Sequence, residues 1–294
     1  MDYFCLMNFN TTRIAPTPSG FLHLGNAFSF LVTKALAKKH GAKILLRIDD
    51  MDRDRYRSEY VQDIFDTLDF LEIPIDIGPK NLQEFESEWS QIHRMAMYEE
   101  ALERLRDSRV IFSCDCSRKK IQELNPQGHY LGFCLDRRMS LDKQETAWRV
   151  NTLDSDFITY REYPDQKKTE LIPEESAFYI VRKKDRLPAY HLTSVVDDMH
   201  FGVDLIIRGK DLEASTLAQL DLARHIGAQD FLKSTFFHHS LIKGPDRSKL
   251  SKSAGSFSIK SLREEGQDLN GIKNLIRSII PSESFEAIIL NEGL

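Results

Sequence analysis

Two short runs, far apart in the chain, carry residue types suited to holding a polyphosphate. In HLGN, His23, Gly25 and Asn26 fall at the first turn of a predicted helix. Unpaired N–H groups and the positive end of a helix dipole favour an anion there. A histidine can donate to phosphate oxygens, and a glycine lets a ligand approach the backbone closely. In KLSKS, Lys249 and Lys252 stand three apart in a segment dense in Lys, Ser and Gly. Two ammonium groups on long stems can converge on one phosphate chain and neutralise a departing anion. Either run alone reads most simply as a capped helix or a solvated loop; together they point to nucleotide chemistry.

A third constellation is made of sulfur. Of the four cysteines, Cys5 stands alone, while Cys114, Cys116 and Cys134 cluster within 21 residues, with Gly128 and Gly132 permitting tight turns between them. Three soft thiolates suit a tetrahedral zinc site that needs one more ligand. General metal chemistry nominates His129 for that place, and three reduced thiols without a metal are the plain alternative.

These groups need elements to hold them. Thr11 to Ala15 is a short strand, which Pro16, Pro18 and Gly20 end in a rigid turn. Phe28, Leu31, Val32, Ala35 and Leu36 then form one apolar stripe, predicting a helix from about Gly25 to Lys39. Ala42 to Ile48 reads as a strand buried on both faces and runs into the acidic patch Asp49, Asp50, Asp52 and Asp54. Val61, Ile64, Phe65, Leu68 and Leu71 give a second helix. Strand, helix, strand, helix at this spacing is the pattern of a doubly wound nucleotide-binding sheet, whose ligands sit at the carboxyl ends of strands.

Ser90 to Asp107 reads as one helix and Val110 to Ser113 as a strand. TAWRVN, DFITYREY and AFYIVRK read as antiparallel strands, with Gln166 to Glu170 and Pro173 to Ser176 as loops. Tyr190 precedes a short helix containing Val195 and Val196; Arg208 ends the apolar strand VDLII. A buried arginine is costly unless paired, and its planar, permanent charge is the right partner for a carboxylate. Leu212 to Ile226 is a helix with Gly227 as cap, Thr235 to His239 a strand, and the tail suggests two short helices.

The chain has 294 residues, 41% hydrophobic and 29% charged, enough for one large domain with an insert. A net charge of −5 and a pI near 6.0 supply no overall basic field. Any RNA contact must use local patches, of which residues 241–280, with eight Lys/Arg against four Asp/Glu, are the most basic. No apolar run reaches the ~20 residues of a membrane span and MDYFCLMNFN lacks the pattern of a signal peptide. A cytoplasmic, monomeric protein is expected.

RIAPTPSGFLHLGNA resembles the HIGH signature of class I aminoacyl-tRNA synthetases in the form carried by the glutamate-specific branch. KLSKS resembles the KMSKS signature, with Leu250 in place of Met. LLRIDDMD, PAYHLTSVVDD and IIRGKDL recur in that family in the same order. The resemblance spans about Thr11 to Phe257. It implies the α/β class I aminoacyl-tRNA synthetase fold: a Rossmann-type, doubly wound parallel sheet with a zinc-containing insert. Residues 1–107 would be the first half of the catalytic domain, 108–187 the insert, 188–257 the second half with the KLSKS loop, and 258–294 a short helical tail.

The same resemblance implies that His23, Lys249 and Lys252 are catalytic and, with Gly25 and Asn26, bind ATP and its Mg²⁺. Arg13, Ala15, Thr17, Asp49, Tyr190 and Arg208 would bind L-glutamate. The family normally has Glu where this chain has Asp49, one methylene shorter. Full-length glutamyl-tRNA synthetases usually place Asn where this chain has Ser194, as the glutamyl-queuosine tRNA(Asp) synthetases do not. Those enzymes carry C-x-C followed by Y-x-x-x-C, which implies Tyr130 as the oxygen ligand of Zn²⁺ beside Cys114, Cys116 and Cys134. The tail is too short for the anticodon-binding region of a full glutamyl-tRNA synthetase. Transfer of glutamate to the queuosine base of tRNA(Asp) is therefore expected, ahead of a truncated enzyme charging a tRNA 3′ end. An inactive synthetase-like RNA-binding module and an adenylate former for a small carboxylic acid are further alternatives. Intact His23, Lys249 and Lys252 argue against the first, and the cysteine insert against the second.

Overall fold

In the computed structural model, residues 7–153, 155–242, 258–281 and 284–286 are described. The chain opens with β1 (Thr11–Ile14), α1 (Leu24–His40), β2 (Lys43–Leu46) and α2 (Ser58–Phe70). All of β1 is buried, and α1 buries Phe28, Leu31, Val32, Ala35 and Leu36, the residues of its apolar stripe. Burial of each of these larger side chains, Ala35 excepted, is worth about 1.5–3 kcal/mol. Gly41 ends α1 in left-handed backbone at φ +68.

The single turn α3 (Leu82–Glu84), a π-turn over Phe85–Trp89 and a 3₁₀ turn over Gln91–Arg94 lead to α4 (Met95–Ser108). The helix expected from Ser90 thus begins at Met95. Ser90 and Gln91 are held elsewhere: the Ser90 hydroxyl and the Gln91 N–H both donate to Asp50, at 2.5 and 2.8 Å.

β3 (Ile111–Cys114), α5 (Arg118–Leu124), β4 (Ala147–Val150), β5 (Ile158–Glu162), β6 (Gln166–Glu170) and β7 (Ile180–Arg182) follow. β6 corrects the loop expected over the same residues. It pairs antiparallel with β5 from Ile158↔Glu170 to Glu162↔Gln166, so backbone pairing, not an apolar face, makes it a strand. α6 (Tyr190–His200), β8 (Leu205–Gly209), α7 (Glu213–Ile226) and β9 (Thr235–His239) come next. α8 (Ile259–Glu264) and α9 (Leu269–Ile279) close the described chain. Most of the second tail helix expected around Phe285, Ile288 and Ile289 lies outside the described residues.

Two compact units emerge. One takes the described parts of Met1–His93, Val203–Asp211 and Phe236–Leu294; the other takes Arg94–Gly202 and Leu212–Thr235. In the first, the strand order is β2-β1-β8-β9, with β1 parallel to both β2 and β8. The chain steps from β1 to β2 on one side and returns with β8 on the other. In open α/β sheets such a reversal is where ligands bind, outside the carboxyl ends of the strands. The doubly wound parallel architecture expected from the sequence is present.

The second unit contains an antiparallel sheet of order β3-β4-β7, the β5–β6 hairpin, and α4, α6 and α7 packed together. The α4–α6 contact is fixed by a buried charge network. Arg94 donates to both oxygens of Asp197 at 2.8 and 3.0 Å, and the Tyr98 hydroxyl donates to the same carboxylate at 2.6 Å. Among the described residues, no helix is long and apolar enough to cross a membrane.

Candidate functional site

The carboxyl ends of β1, β2 and β8 gather one group of expected site residues. Arg13 is buried in β1 and donates from Nη1 to the carbonyl of Ile207 in β8, at 2.9 Å, across the strand-order reversal. Parallel pairing continues past the strands: Arg47 N–H donates to Ile14 and Asp49 N–H to Pro16, each at 2.9 Å. Asp49 is thereby held beside the turn that carries Ala15 and Thr17, whose half-buried residues line the exit of β1. Arg208 is buried near the end of β8 with its guanidinium 5.7 Å from the ring of Phe236.

His23 is the N-cap of α1, in extended backbone, and its N–H donates to the side-chain carbonyl of Asn26 at 3.0 Å. The polar tip of Asn26 therefore serves the helix start. Gly25 has a second role besides openness: a Cβ there would sit 3.0 Å from Cε1 of His23. The missing side chain makes room for the imidazole ring. Leu22, just before His23, donates its N–H to Asp63 at 3.0 Å and accepts from Ile259 N–H at 2.8 Å, and His23 forms an antiparallel bridge with Ser258. Lys249 and Lys252 lie outside the described residues.

The acidic patch is internally paired. Asp49 receives Nε and Nη2 of buried Arg47 at 2.7 and 3.0 Å, Asp50 receives Arg53 at 2.5 Å, and Asp52 receives Arg55 at 2.5 Å. Arg47 is a partner that sequence reading passed over; read as buried on both faces, the run Ala42 to Ile48 gave no reason to expect a cation within it. In the second unit, Tyr190 is the first residue of α6 and is exposed, with its ring 5.5 Å from that of His191.

That unit also holds the sulfur cluster. β3 delivers Cys114, the turn after it Cys116, and a loop after α5 brings Tyr130 and Cys134 to the same place. All four side chains are buried against Phe112, Ile121 and Phe178. The loop closes through Gly128 and Gly132, in left-handed backbone at φ +80 and +78, and a Cβ on Gly132 would meet the ring of Phe178 at 3.0 Å.

The three sulfurs lie within 4.8 Å of one another, and Cys116 and Cys134 are 3.5 Å apart. A tetrahedron with metal–sulfur bonds of ~2.3 Å has edges of about 3.8 Å, so the spacing fits a zinc ion. Cys134 N–H donates to the Tyr130 hydroxyl at 2.9 Å, which puts that oxygen beside the cluster. His129 is not in the metal-competent group.

The electrostatics reflect acids crowded together in a buried place. Burial and then the hydrogen bond with Cys134 push the Cys116 thiol up to about 12. Burial, followed by the Cys114 and Cys134 side chains, raises the Tyr130 hydroxyl well above the usual phenol range. Burial also opposes ionisation of Cys134, but hydrogen bonds from Tyr130, Cys116 and Arg137 outweigh it and its pKa falls. Arg137 Nη1 lies 3.3 Å from the Cys134 sulfur while both its Nη atoms hold Asp115, at 2.5 and 2.9 Å. Proton-binding groups this close suit a divalent cation that replaces their protons.

Residues 10–294 match the family model for the catalytic domain of class I tRNA synthetases (E and Q). Among curated relatives, glutamate–tRNA ligase 2 of Syntrophus aciditrophicus is 30% identical over 269 residues, covering 86% of this chain and 54% of the relative. The glutamate–tRNA ligase of Nitrosospira multiformis is 30% identical over 294 residues, covering 96% and 60%. The chain thus spans little more than half the length of these relatives. The structure of a glutamate–tRNA synthetase from Elizabethkingia anophelis superposes with a TM-score of 0.68 at 22% identity, covering 85% of this chain and 54% of that one. A Mycobacterium tuberculosis methionyl-tRNA synthetase bound by methionyl-adenylate gives a TM-score of 0.56 at 11% identity, covering 92% and 64%.

Proposed function

The chain belongs to the class I tRNA synthetases for glutamate and glutamine as a catalytic domain, and from that premise we propose that it activates L-glutamate with ATP and esterifies the queuosine base of tRNA(Asp). The observation that carries the acceptor is the cluster of Cys114, Cys116 and Cys134 with the Tyr130 hydroxyl beside it. It has the C-x-C, Y-x-x-x-C pattern that the glutamyl-queuosine synthetases carry.

In this reading glutamate's carboxylate oxygen attacks the α-phosphorus of ATP, supplied as its Mg²⁺ complex, and the bond to pyrophosphate breaks. His23, at the start of α1, donates to the phosphates. Lys249 and Lys252 neutralise the departing charge. Gly25 and Asn26 hold His23 and the first turn in place. Arg208 pairs with the substrate's side-chain carboxylate and so selects glutamate over glutamine, while Arg13, Ala15, Thr17, Asp49 and Tyr190 complete amino-acid binding. A hydroxyl of the RNA then attacks the glutamyl carbonyl and AMP leaves. The rate comes from positioning and charge, with no covalent enzyme intermediate.

Cys114, Cys116, Cys134 and Tyr130 would hold Zn²⁺, which supplies a structural cross-link of the insert. A second reading, charging of a tRNA 3′ end, is favoured by relatives named glutamate–tRNA ligases along 86% and 96% of the chain.

ATP–pyrophosphate exchange across all amino acids, with and without tRNA, tests the activation step. Exchange with glutamate alone is expected. Transfer of labelled glutamate is then measured to tRNA(Asp) with and without queuosine and to tRNA(Glu). Labelling confined to the queuosine-containing tRNA(Asp) is expected; labelling of tRNA(Glu) would move the assignment to 3′-end charging. No exchange under any condition would leave an inactive module.

A further inference from the structure

Arg149 in β4 is buried, yet among the described residues no carboxylate pairs with it. Its Nη1 donates to the carbonyl of Phe178 at 2.8 Å, its Nε has no hydrogen-bond partner, and its guanidinium carbon sits 3.8 Å from the centre of the Tyr130 ring. Stacking on an aromatic face recovers part of the cost of burying a cation, but not its charge. Arg137, whose Nη1 lies 3.3 Å from the Cys134 sulfur, contrasts with it. That guanidinium is half exposed and already matched by Asp115. One arginine at this cluster is neutralised and the other is not.

The charge balance changes when a divalent cation enters. Three thiols and a phenol are neutral; three thiolates around a 2+ ion carry a net charge of −1, against which a single buried guanidinium balances. We propose that Arg149 is the outer-sphere charge partner of a metal held by Cys114, Cys116, Cys134 and Tyr130, and that it sets the affinity of the site for divalent cations. The inference rests on the metal reading given above. It makes Arg149 unfavourable in the metal-free protein and favourable in the loaded one, an opposition that a purely structural cation–π contact does not share.

The test uses the full chain and Zn²⁺ as the probe, with affinity measured by competition with a chromogenic chelator and the ligand field by Co²⁺ absorption. Arg149→Met is expected to weaken Zn²⁺ binding about 10- to 100-fold, while the metal-free variant is at least as resistant to urea as the metal-free parent. Arg149→Lys, which keeps the charge, is expected to restore most of the affinity. Arg137→Ala removes a hydrogen bond to Cys134 together with a cation that Asp115 already matches, and is expected to weaken binding less than Arg149→Met does. The proposal is overturned if Arg149→Met binds Zn²⁺ like the parent, or if it lowers metal-free stability and leaves affinity unchanged. A parent protein that binds neither Zn²⁺ nor Co²⁺ would remove the metal reading and this inference together. Parent binding with Arg149-independent affinity would remove the inference alone.

Discussion

Asp63 and Arg263 are 200 residues apart in sequence and 2.9 Å apart in the fold. The other Asp63 oxygen takes the Leu22 N–H, so one buried carboxylate on α2 grips both α8 and the residue that introduces His23. Asp63→Ala leaves the Leu22 N–H and the Arg263 guanidinium without their acceptor. A loss of about 2–3 kcal/mol is expected, at or below the lower end for a broken buried ion pair because Arg263 is partly exposed. Asp63→Asn keeps an acceptor and should cost less. Urea unfolding at constant m-value reads both. Because Leu22 sets the position of His23, pyrophosphate exchange should fall about ten- to hundredfold in kcat, with little change in KM for glutamate. A change in KM alone would disconnect Asp63 from the phosphate end of the site.

His239, at the end of β9, gives the fold a pH signature. Its ring packs edge-on to Phe28 at 5.0 Å and shares a hydrogen bond with the Ser240 carbonyl at 2.9 Å. Burial lowers its pKa below the ordinary 6.5, against the opposing effects of that carbonyl and Glu286. The unfolded chain therefore takes up a proton that the folded chain refuses. The stability associated with neutral His239 is complete above about pH 6.5 and is lost as the pH falls from there toward the depressed folded value. His239→Gln should remove this slope. The difference in unfolding free energy between parent and variant should shrink between pH 7.5 and 5.5, and His40, shifted in the same direction, cancels from the comparison. A difference independent of pH would show that His239 titrates normally in the fold.

The metal reading makes a prediction about ligand identity. Cys114→Ser, Cys116→Ser or Cys134→Ser should abolish stoichiometric Zn²⁺ binding. Tyr130→Phe should weaken it by about tenfold or more, and His129→Ala should leave it unchanged. Chelation should lower the thermal stability of the parent but not that of the cysteine variants. If His129→Ala weakens binding and Tyr130→Phe does not, the fourth ligand is the imidazole.

In the proposed function Arg208 selects glutamate through its side-chain carboxylate. A guanidinium can hold a carboxylate with two parallel hydrogen bonds, each strengthened by charge, and an ammonium cannot match that fork. Arg208→Lys is expected to raise KM for glutamate about 10- to 100-fold in the exchange assay and to narrow the preference over glutamine. An unchanged KM would place substrate carboxylate recognition elsewhere.

What the sequence disclosed and what it hid follow one physical line. α1, α2 and α7 were legible because each must bury a face, and burial writes a 3.6-residue stripe. The convergence of Cys114, Cys116 and Cys134 was legible because three thiols at short spacing, with glycines between them, mark one place in the chain. β6 was not, since QKKTE owes its strand to hydrogen bonds with β5 and its side chains are mostly exposed. α5 buries Ile121 alone, too little for a stripe. Asp63, Asp115 and Arg149 were hidden for another reason: each acts through a partner that the fold brings from elsewhere in the chain.

Gly25 separates stability from chemistry. As the second residue of α1 it lies in helical backbone, where alanine is favoured over glycine by up to about 1 kcal/mol, and the side-chain space is closed only by the His23 ring, with Cε1 at 3.0 Å and Nδ1 at 3.1 Å from an added Cβ. Gly25→Ala should therefore leave the protein as stable or slightly more stable, while pushing the imidazole by a few tenths of an ångström. With His23 donating to phosphate as proposed, a displacement of that size spoils its alignment, so kcat for pyrophosphate exchange should drop about tenfold. His23→Ala should fall further, and adding Gly25→Ala to it should cost little more, because the ring that the methyl displaces is gone. If the double variant instead loses activity by the product of the two single effects, Gly25 acts on ATP directly through its own backbone and not through His23.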